Sequence, residues 1–266
     1  MDATWLSTRE AAGRLGLTEA AVRRQVTAGD LAAVRLSSGN WLIDPADVHR
    51  RTGAPRRSGR PLSAPNAWRV LTLLDAADRH PEAPRQAASD RLAAMPLARW
   101  ERQRLRGWLA DLPAAADLAL LLRARARRQR MRVHPGLAER VAADPRAIVG
   151  GDLAVAHQGG GLAAGHRLVI YVHGDVADSL ISDYRMTRNA EGLVDLMILP
   201  LDAEASPYVP FRRPNGEPGI GAGMAFVPRA VAMVDLLADA DVRARGVAED
   251  WLASLPRPLV NLPSAA

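Results

Sequence analysis

Residues 5–48 have the sequence WLSTREAAGRLGLTEAAVRRQVTAGDLAAVRLSSGNWLIDPADV, and the caps, apolar residues and turns in it predict the fold of the N-terminal segment. Ser7 and Glu10 have the spacing of a capping box, in which two side chains satisfy free backbone amides at a helix start. Apolar residues follow at helical spacing up to Gly16, and glycine suits a helix end because it tolerates positive φ. The pattern therefore predicts a first helix that ends at Gly16.

A second helix is predicted between Thr18, which is a suitable cap, and Gly29, which closes it. Its apolar residues would face inward and pack against the first helix. The residues left for the outward face are Glu19, Ala20, Arg23, Arg24 and Thr27. Arg23 and Arg24 therefore belong either to an interface or to a solvated helix face.

Two short strands are predicted at 33–36 and 41–43, because the four residues between them are small and polar and suit a hairpin loop. These loop residues are Ser37, Ser38, Gly39 and Asn40. Asp44 and Pro45 then favour a short helix that runs to about residue 50. The predicted order of elements is helix, turn, helix, hairpin, helix.

That order, with the residues that carry it, resembles the excisionase-like branch of the MerR-type winged-helix superfamily. The matching stretches are WLST at 5–8, EAA at 10–12, LGL at 15–17, VRR at 22–24, GDL at 29–31, AVR at 33–35 and WLIDP at 41–45. The resemblance implies that residues 1–51 are a winged helix-turn-helix DNA-binding domain. In this geometry the second helix lies in the major groove of duplex DNA.

The same resemblance implies which residues contact DNA. Arg23 and Arg24 would donate to guanine in the major groove, where a threonine also contacts a thymine methyl. Arg35 would bind phosphate, and Asn40 in the loop would probe a groove. The predicted DNA-binding residues of this segment are Thr18, Glu19, Arg23, Arg24, Thr27, Arg35, Ser38 and Asn40.

Residues 52–65, TGAPRRSGRPLSAP, predict a basic linker because they are rich in Pro, Gly, Ser and Arg. The stretch SGRP at 58–61, preceded by two arginines, resembles the Arg-Gly-Arg-Pro core of AT-hooks, whose extended arginines enter a narrow minor groove. That resemblance implies Arg57 and Arg60 as further DNA contacts. A plain solvated linker is the alternative.

The remainder of the chain predicts a helical domain at 66–130 and an α+β C-terminal domain at 131–266. Leucines at helical spacing, punctuated by prolines, indicate three or four helices in the first part. In the second part, strands are predicted at 131–134, 168–172 and 193–199, and helices at 136–143, 176–184, 228–238 and 242–255. The predicted fold class is mostly α with a smaller α+β part.

Charge is distributed unevenly along the 266 residues, whose 35 basic side chains are all arginine. Residues 1–60 hold ten Arg against six acids and residues 97–134 hold ten against three, whereas residues 135–266 hold eleven against sixteen. A basic front favours nucleic acid as a partner. The run at 123–132, with six Arg, predicts either a second phosphate-contacting surface or the solvated end of a helix.

Several function classes are disfavoured by composition. Cysteine is absent, which removes disulfides and thiolate chemistry, and neither an apolar run of eighteen residues nor a signal peptide is present, so a cytoplasmic protein without membrane contact is expected. Asp195 would need a second carboxylate two residues on to hold a catalytic metal, and that residue is Met197. We therefore expect no enzyme, metal or cofactor.

Trp68, Trp100 and Trp108 are predicted core residues, since each lies among helical leucines.

The whole plan, with RPLSAPNAW at 60–68 and VAMVDLLADADVRAR at 231–245, resembles AbiEi-type antitoxins of type IV toxin–antitoxin modules. The resemblance implies a protein that represses its own promoter by binding DNA repeats and counteracts a nucleotidyltransferase-like toxin encoded beside it. Direct contact with the toxin and homodimer formation stay open. The alternatives are a stand-alone winged-helix regulator or excisionase-like architectural factor, and a regulator that senses a small molecule through its α+β part.

Overall fold

The structure is a computed structural model that describes residues 5–27, 31–36, 38–45, 47–48, 61–162, 167–189, 191–200, 224–239 and 241–261. The protein is a mixed α+β protein with mostly helix, and the described residues form eleven α-helices and two β-sheets. None of these helices has the length and apolar character needed to span a bilayer.

The N-terminal segment consists of two helices and a three-stranded antiparallel sheet. Its elements are β1 (Leu6–Ser7), α1 (Thr8–Leu15), α2 (Glu19–Thr27), β2 (Ala33–Arg35) and β3 (Trp41–Ile43). The strand order is β1-β3-β2, with both pairings antiparallel. The two predicted helices and the two predicted strands are confirmed, although Gly29, predicted to close the second helix, lies outside the described residues. Strand β1 was not predicted because two residues are too few to show an alternating pattern. A short helix was also predicted after Asp44. In this stretch Val48 N donates to Asp44 O at 3.2 Å, and the last residues of the predicted helix lie outside the described ranges.

Local chemistry sets the ends of α1. The Ser7 hydroxyl accepts from Glu10 N at 3.2 Å, and the Glu10 carboxylate accepts from Ser7 N at 2.8 Å, so the predicted capping box is confirmed. The backbone hydrogen bond from Ser7 lowers the pKa of the Glu10 carboxyl. Gly16 ends the helix at φ +64°, in the left-handed region that favours glycine. A small core within residues 6–48 holds these elements together, with Val22 and Ile43 fully buried.

The body of the protein is defined here as the described residues from 61 onward. Its helices are α3 (Ala64–Arg79), α4 (Pro84–Ala94), α5 (Arg99–Ala110), α6 (Ala115–Leu121), α7 (Ala138–Ala142), α8 (Gly151–His157), α9 (Gly174–Asp183), α10 (Arg229–Leu237) and α11 (Val242–Ser254). Its strands are β4 (Arg127–Arg132), β5 (Ile148–Gly150), β6 (Leu168–His173), β7 (Thr187–Arg188) and β8 (Val194–Leu199). Two 3-10 turns, Arg123–Arg125 and Pro135–Leu137, complete the described elements.

The five strands of the body form one mixed sheet in the order β5-β6-β8-β4-β7. Strands β6 and β8 are parallel, and the other pairings are antiparallel. Because side chains alternate along a strand, β6 divides its residues between two hydrophobic clusters. Val169 and Tyr171 belong to the larger cluster with α3 and α10, while Ile170 and Val172 belong to the smaller one with α7 and α9.

The larger cluster is continuous across the domain boundary predicted at residue 130. It joins Trp68 and Leu118 of the helical part with Tyr171 of the sheet and Trp251 of α11. Strand β4 itself crosses that position. The boundary at 130 does not separate two hydrophobic cores, because the apolar faces of the middle helices pack on the C-terminal elements rather than only on one another.

The start of the body lies earlier than the predicted linker end at residue 65. Leu62 is buried, and its backbone N donates to Leu121 O at 2.9 Å. Helix α3 begins at Ala64, which is buried as well. Residues 61–65 are therefore part of the packed body, although proline and serine gave them the composition of a linker.

The arginine-rich run at 123–132 is not the solvated end of a helix, so that one of its two predicted alternatives is wrong. It forms a 3-10 turn followed by β4, an internal strand between β8 and β7. Arg128 and Arg130, two residues apart on one strand face, lie next to Asp195 of β8. Their guanidinium groups contact its two carboxylate oxygens at 2.5 and 3.2 Å. Three of the six arginines in the run, Arg125, Arg128 and Arg130, therefore have a buried carboxylate as a partner.

Asp195 is buried, with 1% of its side chain exposed, and Arg167 adds a third guanidinium at 3.9 Å. Burial of the Asp195 carboxyl opposes its ionisation, but the charge and hydrogen bond of Arg128, together with the charges of Arg130 and Arg167, outweigh that effect and lower its pKa. The carboxylate is thus held ionised by arginines. In the described part of the chain, no three His, Cys, Asp or Glu side chains come together as metal ligands.

A second buried polar cluster joins Arg125, Tyr171 and Asp235 within the larger core. The Arg125 guanidinium and the Tyr171 hydroxyl both donate to Asp235 Oδ1 at 2.6 Å, and Gly151 N donates to Oδ2 at 3.2 Å. Burial raises the pKa of Tyr171, so its hydroxyl stays protonated and available as a donor. A Cβ at Gly150 would lie 2.7 Å from Asp235 Oδ2, which explains a glycine at that position.

The three tryptophans predicted as core residues differ in exposure. Trp68 is fully buried, and its indole N–H donates to Arg125 O at 2.9 Å, so this prediction is confirmed. Trp108 is partly buried against the larger cluster. The prediction is wrong for Trp100, which is 65% exposed on α5 because it lies on the face opposite Leu105 and Leu109.

Candidate nucleic-acid interface

Helix α2 presents a polar face opposite its buried face. Val22 and Val26 are buried in the N-terminal core, whereas Arg23, Arg24 and Thr27 are exposed. Residues three and four positions apart lie on the same side of a helix, so these three side chains share one surface with Ala20. The sequence thus separates a packing face from a face available for a ligand.

The N-terminus of α2 is organised by Thr18 and Glu19. The Thr18 hydroxyl accepts from Ala21 N at 3.2 Å, so Thr18 serves as the helix cap and is exposed beside it. Glu19 forms an ion pair with Arg23 at 3.2 Å, four residues along the helix. Both side chains remain largely solvated, and such exposed pairs contribute little stability.

Arg23 and Arg24 therefore differ although they are neighbours in sequence. Arg23 has Glu19 as a partner, and the Thr27 hydroxyl donates to the Arg23 backbone O at 2.9 Å. Among the described residues, the Arg24 side chain makes no hydrogen bond or ion pair. A hydrogen-bond acceptor on a ligand could bind the Arg24 guanidinium directly. At Arg23 the same acceptor would compete with the Glu19 carboxylate.

The hairpin of β2 and β3 forms a second exposed feature. Leu36 N donates to Asn40 O at 2.8 Å, and Gly39 N donates to Leu36 O at 2.9 Å, which closes the loop. Gly39 has φ +85°, a conformation that glycine adopts without strain. Ser38 and Asn40 are exposed at this tip.

Arg35 lies at the end of β2, directly opposite Trp41 of β3. Its guanidinium is 5.7 Å from the centroid of the Trp41 ring, at cation–π distance. This contact restricts the Arg35 side chain while leaving it exposed. The two aligned side chains give the hairpin a fixed cation.

The predicted residues thus fall into two exposed groups and one pair outside the structure. Thr18, Glu19, Arg23, Arg24 and Thr27 belong to α2 or its cap, while Arg35, Ser38 and Asn40 belong to the hairpin. Arg57 and Arg60 lie outside the described residues.

Sequence reasoning missed two pairings within this surface. The Glu19–Arg23 ion pair had a signal, since Glu and Arg four residues apart on a helix commonly pair. The Arg35–Trp41 contact depends on strand register, which follows from the length of the loop. Both pairings act on arginines that were predicted as DNA contacts.

The chemistry of the surface is that of hydrogen-bond donation from exposed guanidinium groups, of which Arg23 and Arg35 have contacts within the segment. Guanidinium groups donate in a planar fork that matches both a phosphate and the edge of guanine. Comparisons with known proteins give no match: no family model, no curated protein and no solved structure matches the chain.

Proposed function

We propose that the protein binds duplex DNA through its N-terminal segment, with α2 in the major groove and the hairpin of β2 and β3 on the neighbouring backbone. The observation that carries the proposal is the exposed face of α2, which places Arg24 and Thr27 beside each other and opposite the buried Val22 and Val26. An α-helix of this kind fits the major groove of B-form DNA.

The hairpin supports the same orientation. Arg35 is an exposed cation on a short antiparallel ladder, and Trp41 restricts where its guanidinium lies. A phosphate contact by Arg35 would fix the register of the protein without reading the sequence, because phosphates are common to all base pairs. Base reading would then fall to α2.

The direct test of the proposal is the salt dependence of DNA binding by the full chain. Arginine–phosphate contacts release condensed counterions, so the logarithm of the binding constant should fall linearly with the logarithm of the salt concentration. Titrations of labelled duplex DNA from the gene's own promoter, followed by fluorescence anisotropy from low to high salt, give the slope. A slope near zero, or the absence of binding to that DNA, would refute the proposal.

Arg24 and Arg35 are expected to behave differently on specific and random DNA. Arg24→Ala should weaken binding to the preferred site by about 1–3 kcal/mol and weaken random duplex less, because a base contact is lost. Arg35→Ala should weaken both duplexes alike, since a phosphate contact is lost. Affinities of both variants for both duplexes, measured at one salt concentration, check this division.

Arg91→Ala is the matched control, because it removes one exposed arginine from α4 of the body. It should leave both affinities close to those of the unchanged protein. Equal losses for Arg24→Ala on specific and random DNA would mean that α2 does not read sequence. Arg23→Ala should have the smaller effect of the α2 pair, since Glu19 already engages its guanidinium.

We extend the proposal to the body, which we assign to counteracting a toxin encoded beside the gene. Two features support this division of labour: the resemblance to AbiEi-type antitoxins, and the packing of residues 6–48 around a core of their own. In this scheme DNA binding serves autorepression of the shared promoter. A stand-alone regulator would have the same N-terminal segment but no adjacent toxin gene, so the neighbouring reading frame distinguishes the two.

A further inference from the structure

Helix α5 carries an exposed stripe of two tryptophans and an arginine. Trp100, Arg104 and Trp108 are four residues apart, so they follow one another along one side of the helix. The Arg104 guanidinium is 4.8 Å from the centroid of the Trp108 ring, and it is exposed. The Trp100 ring is 65% exposed, which is unusual for a residue of this size and apolar character.

This stripe borders a groove between α5, the start of α3 and the 3-10 turn after α6. The groove is open, with a volume of about 510 Å³, and Ser63, Asn66, Arg104 and Arg123 contribute its polar lining. A smaller depression continues it past Trp100 and Trp108, and Asn66 and Arg104 line both parts. We call the two parts together the Trp100–Arg123 groove.

The charge of the groove is positive. Arg104 and Arg123 line it and are exposed, whereas the carboxylate at its rim, Glu101, contacts the Arg69 guanidinium at 3.0 Å and accepts from Ala98 N at 3.0 Å. The surrounding sequence from 97 to 134 has ten arginines and three acids. An anionic ligand is therefore favoured over a cationic one.

We infer that the Trp100–Arg123 groove binds single-stranded nucleic acid, with a base stacked on Trp100 and phosphates at Arg104 and Arg123. An exposed aromatic ring beside cations is the arrangement by which proteins hold unpaired strands, because every base offers a flat face. Asn66 lines both parts of the groove, and its amide Oδ1 accepts from the Arg69 guanidinium at 2.8 Å. RNA and DNA share this chemistry.

Two other ligand classes fit the groove less well. The bases of a duplex are stacked on one another, so duplex DNA would use the arginines and leave the Trp100 ring exposed. An acidic peptide would likewise pair with the arginines without needing a flat platform. The exposed indole is the feature that selects an unpaired base.

This site is separate from the surface on α2 and the hairpin, so it can be tested independently. The experiment uses the full chain and fluorescently labelled single strands of about twelve nucleotides, one RNA and one DNA of the same mixed sequence. Binding is followed by fluorescence anisotropy at fixed salt. Trp100→Ala should weaken binding about fivefold to a hundredfold, and Arg104→Gln should weaken it and flatten its salt dependence.

Matched controls come from other parts of the chain. Trp5→Ala removes a partly exposed tryptophan from the N-terminal segment, and Arg243→Gln removes an exposed arginine from α11. Both should bind single strands as the unchanged protein does. Promoter duplex should bind to Trp100→Ala as tightly as before, which separates failure of this site from failure of the proposed function. Thermal unfolding of each variant verifies its fold, and Trp100→Phe should retain part of the affinity.

Three outcomes would overturn the inference. The first is no binding of either strand by the unchanged protein, and the second is equal binding by Trp100→Ala and Trp5→Ala. The third is single-strand binding that survives Trp100→Ala but is lost when Arg56, Arg57 and Arg60 are replaced by glutamine, which would assign it to the linker. Preference for RNA or for DNA in the Trp100-dependent binding supports the site and identifies which strand it takes.

Discussion

Replacing Asp235 by asparagine is expected to lower the free energy of unfolding by about 3–5 kcal/mol. The Asp235 side chain is 5% exposed, and its ion pair with Arg125 spans 2.6 Å inside the larger core. Asparagine keeps the shape of the side chain but removes its charge. The buried guanidinium of Arg125 would then have no counter-charge, and leaving one member of a buried pair unmatched is strongly destabilising.

Thermal unfolding followed by circular dichroism measures this effect. At about 2–4 °C per kcal/mol for a protein of this size, the midpoint should fall by about 6–20 °C. Asp250→Asn is the control, because it removes an exposed carboxylate from α11 and should leave the midpoint nearly unchanged. Equal midpoints for the two variants would show that the buried pair contributes no specific stability.

A double substitution distinguishes two quantities: the cost of leaving one buried charge without its partner, and the net contribution of the ion pair to the free energy of unfolding. Arg125→Met combined with Asp235→Asn removes both charges and keeps an amide oxygen that can accept from the Tyr171 hydroxyl, so it should be less destabilising than Asp235→Asn alone. The hydrogen bond from the Trp68 indole is retained, since it ends on the backbone O of residue 125. The same unfolding measurement tests this ordering.

The elements of the N-terminal segment were predictable because their signals are local. A capping box, a helix-ending glycine and a hairpin loop each involve residues within a few positions, and Ser7, Glu10, Gly16 and Gly39 all act in the structure as such signals predict. Exposure of the α2 arginines followed in the same way from helical spacing.

The ion pairs of the body could not be predicted from the sequence, because their two residues are far apart in the chain. The arginines at 123–132 have the composition of a solvated helix end, but Arg125 pairs with Asp235 and Arg128 with Asp195. No pattern within ten residues indicates such pairs, because strand pairing brings Arg128 to Asp195 and the packing of helix α10 brings Asp235 to Arg125. The prediction for Trp100 was wrong for a local reason: Leu97 and Leu105 lie near it in the sequence, but its own position is on the outer face of α5.

These pairs also change the meaning of the net charge of the C-terminal half. Residues 135–266 have more acids than arginines, and by count alone this excess would indicate an acidic surface. Asp195 and Asp235 are buried with arginines from before residue 135, and Asp144 is buried against Arg146 at 2.8 Å. Part of the negative charge therefore neutralises the arginine run internally, and the exposed surface is less acidic than the sequence count indicates.

Under the proposed division of labour, removal of residues 1–60 should abolish promoter binding while leaving the body folded and able to counteract the proposed toxin. The hydrophobic core within residues 6–48 shares no residue with the two clusters of the body. Its removal therefore takes no residue out of either cluster. The variant should begin at residue 61 rather than 66, because Leu62 is buried and its backbone N donates to Leu121 O.

Growth and DNA binding together decide whether the two functions separate. We expect variant 61–266, expressed beside the neighbouring toxin gene, to restore growth without binding promoter duplex, whereas Arg24→Ala in the full chain should weaken promoter binding and leave rescue intact. A variant that begins at 66 is the matched comparison, since it lacks Leu62 and should unfold at a lower temperature. Loss of rescue by variant 61–266, with a cooperative thermal transition that shows it to be folded, would mean that antitoxin activity needs the DNA-binding segment and would refute the division of labour.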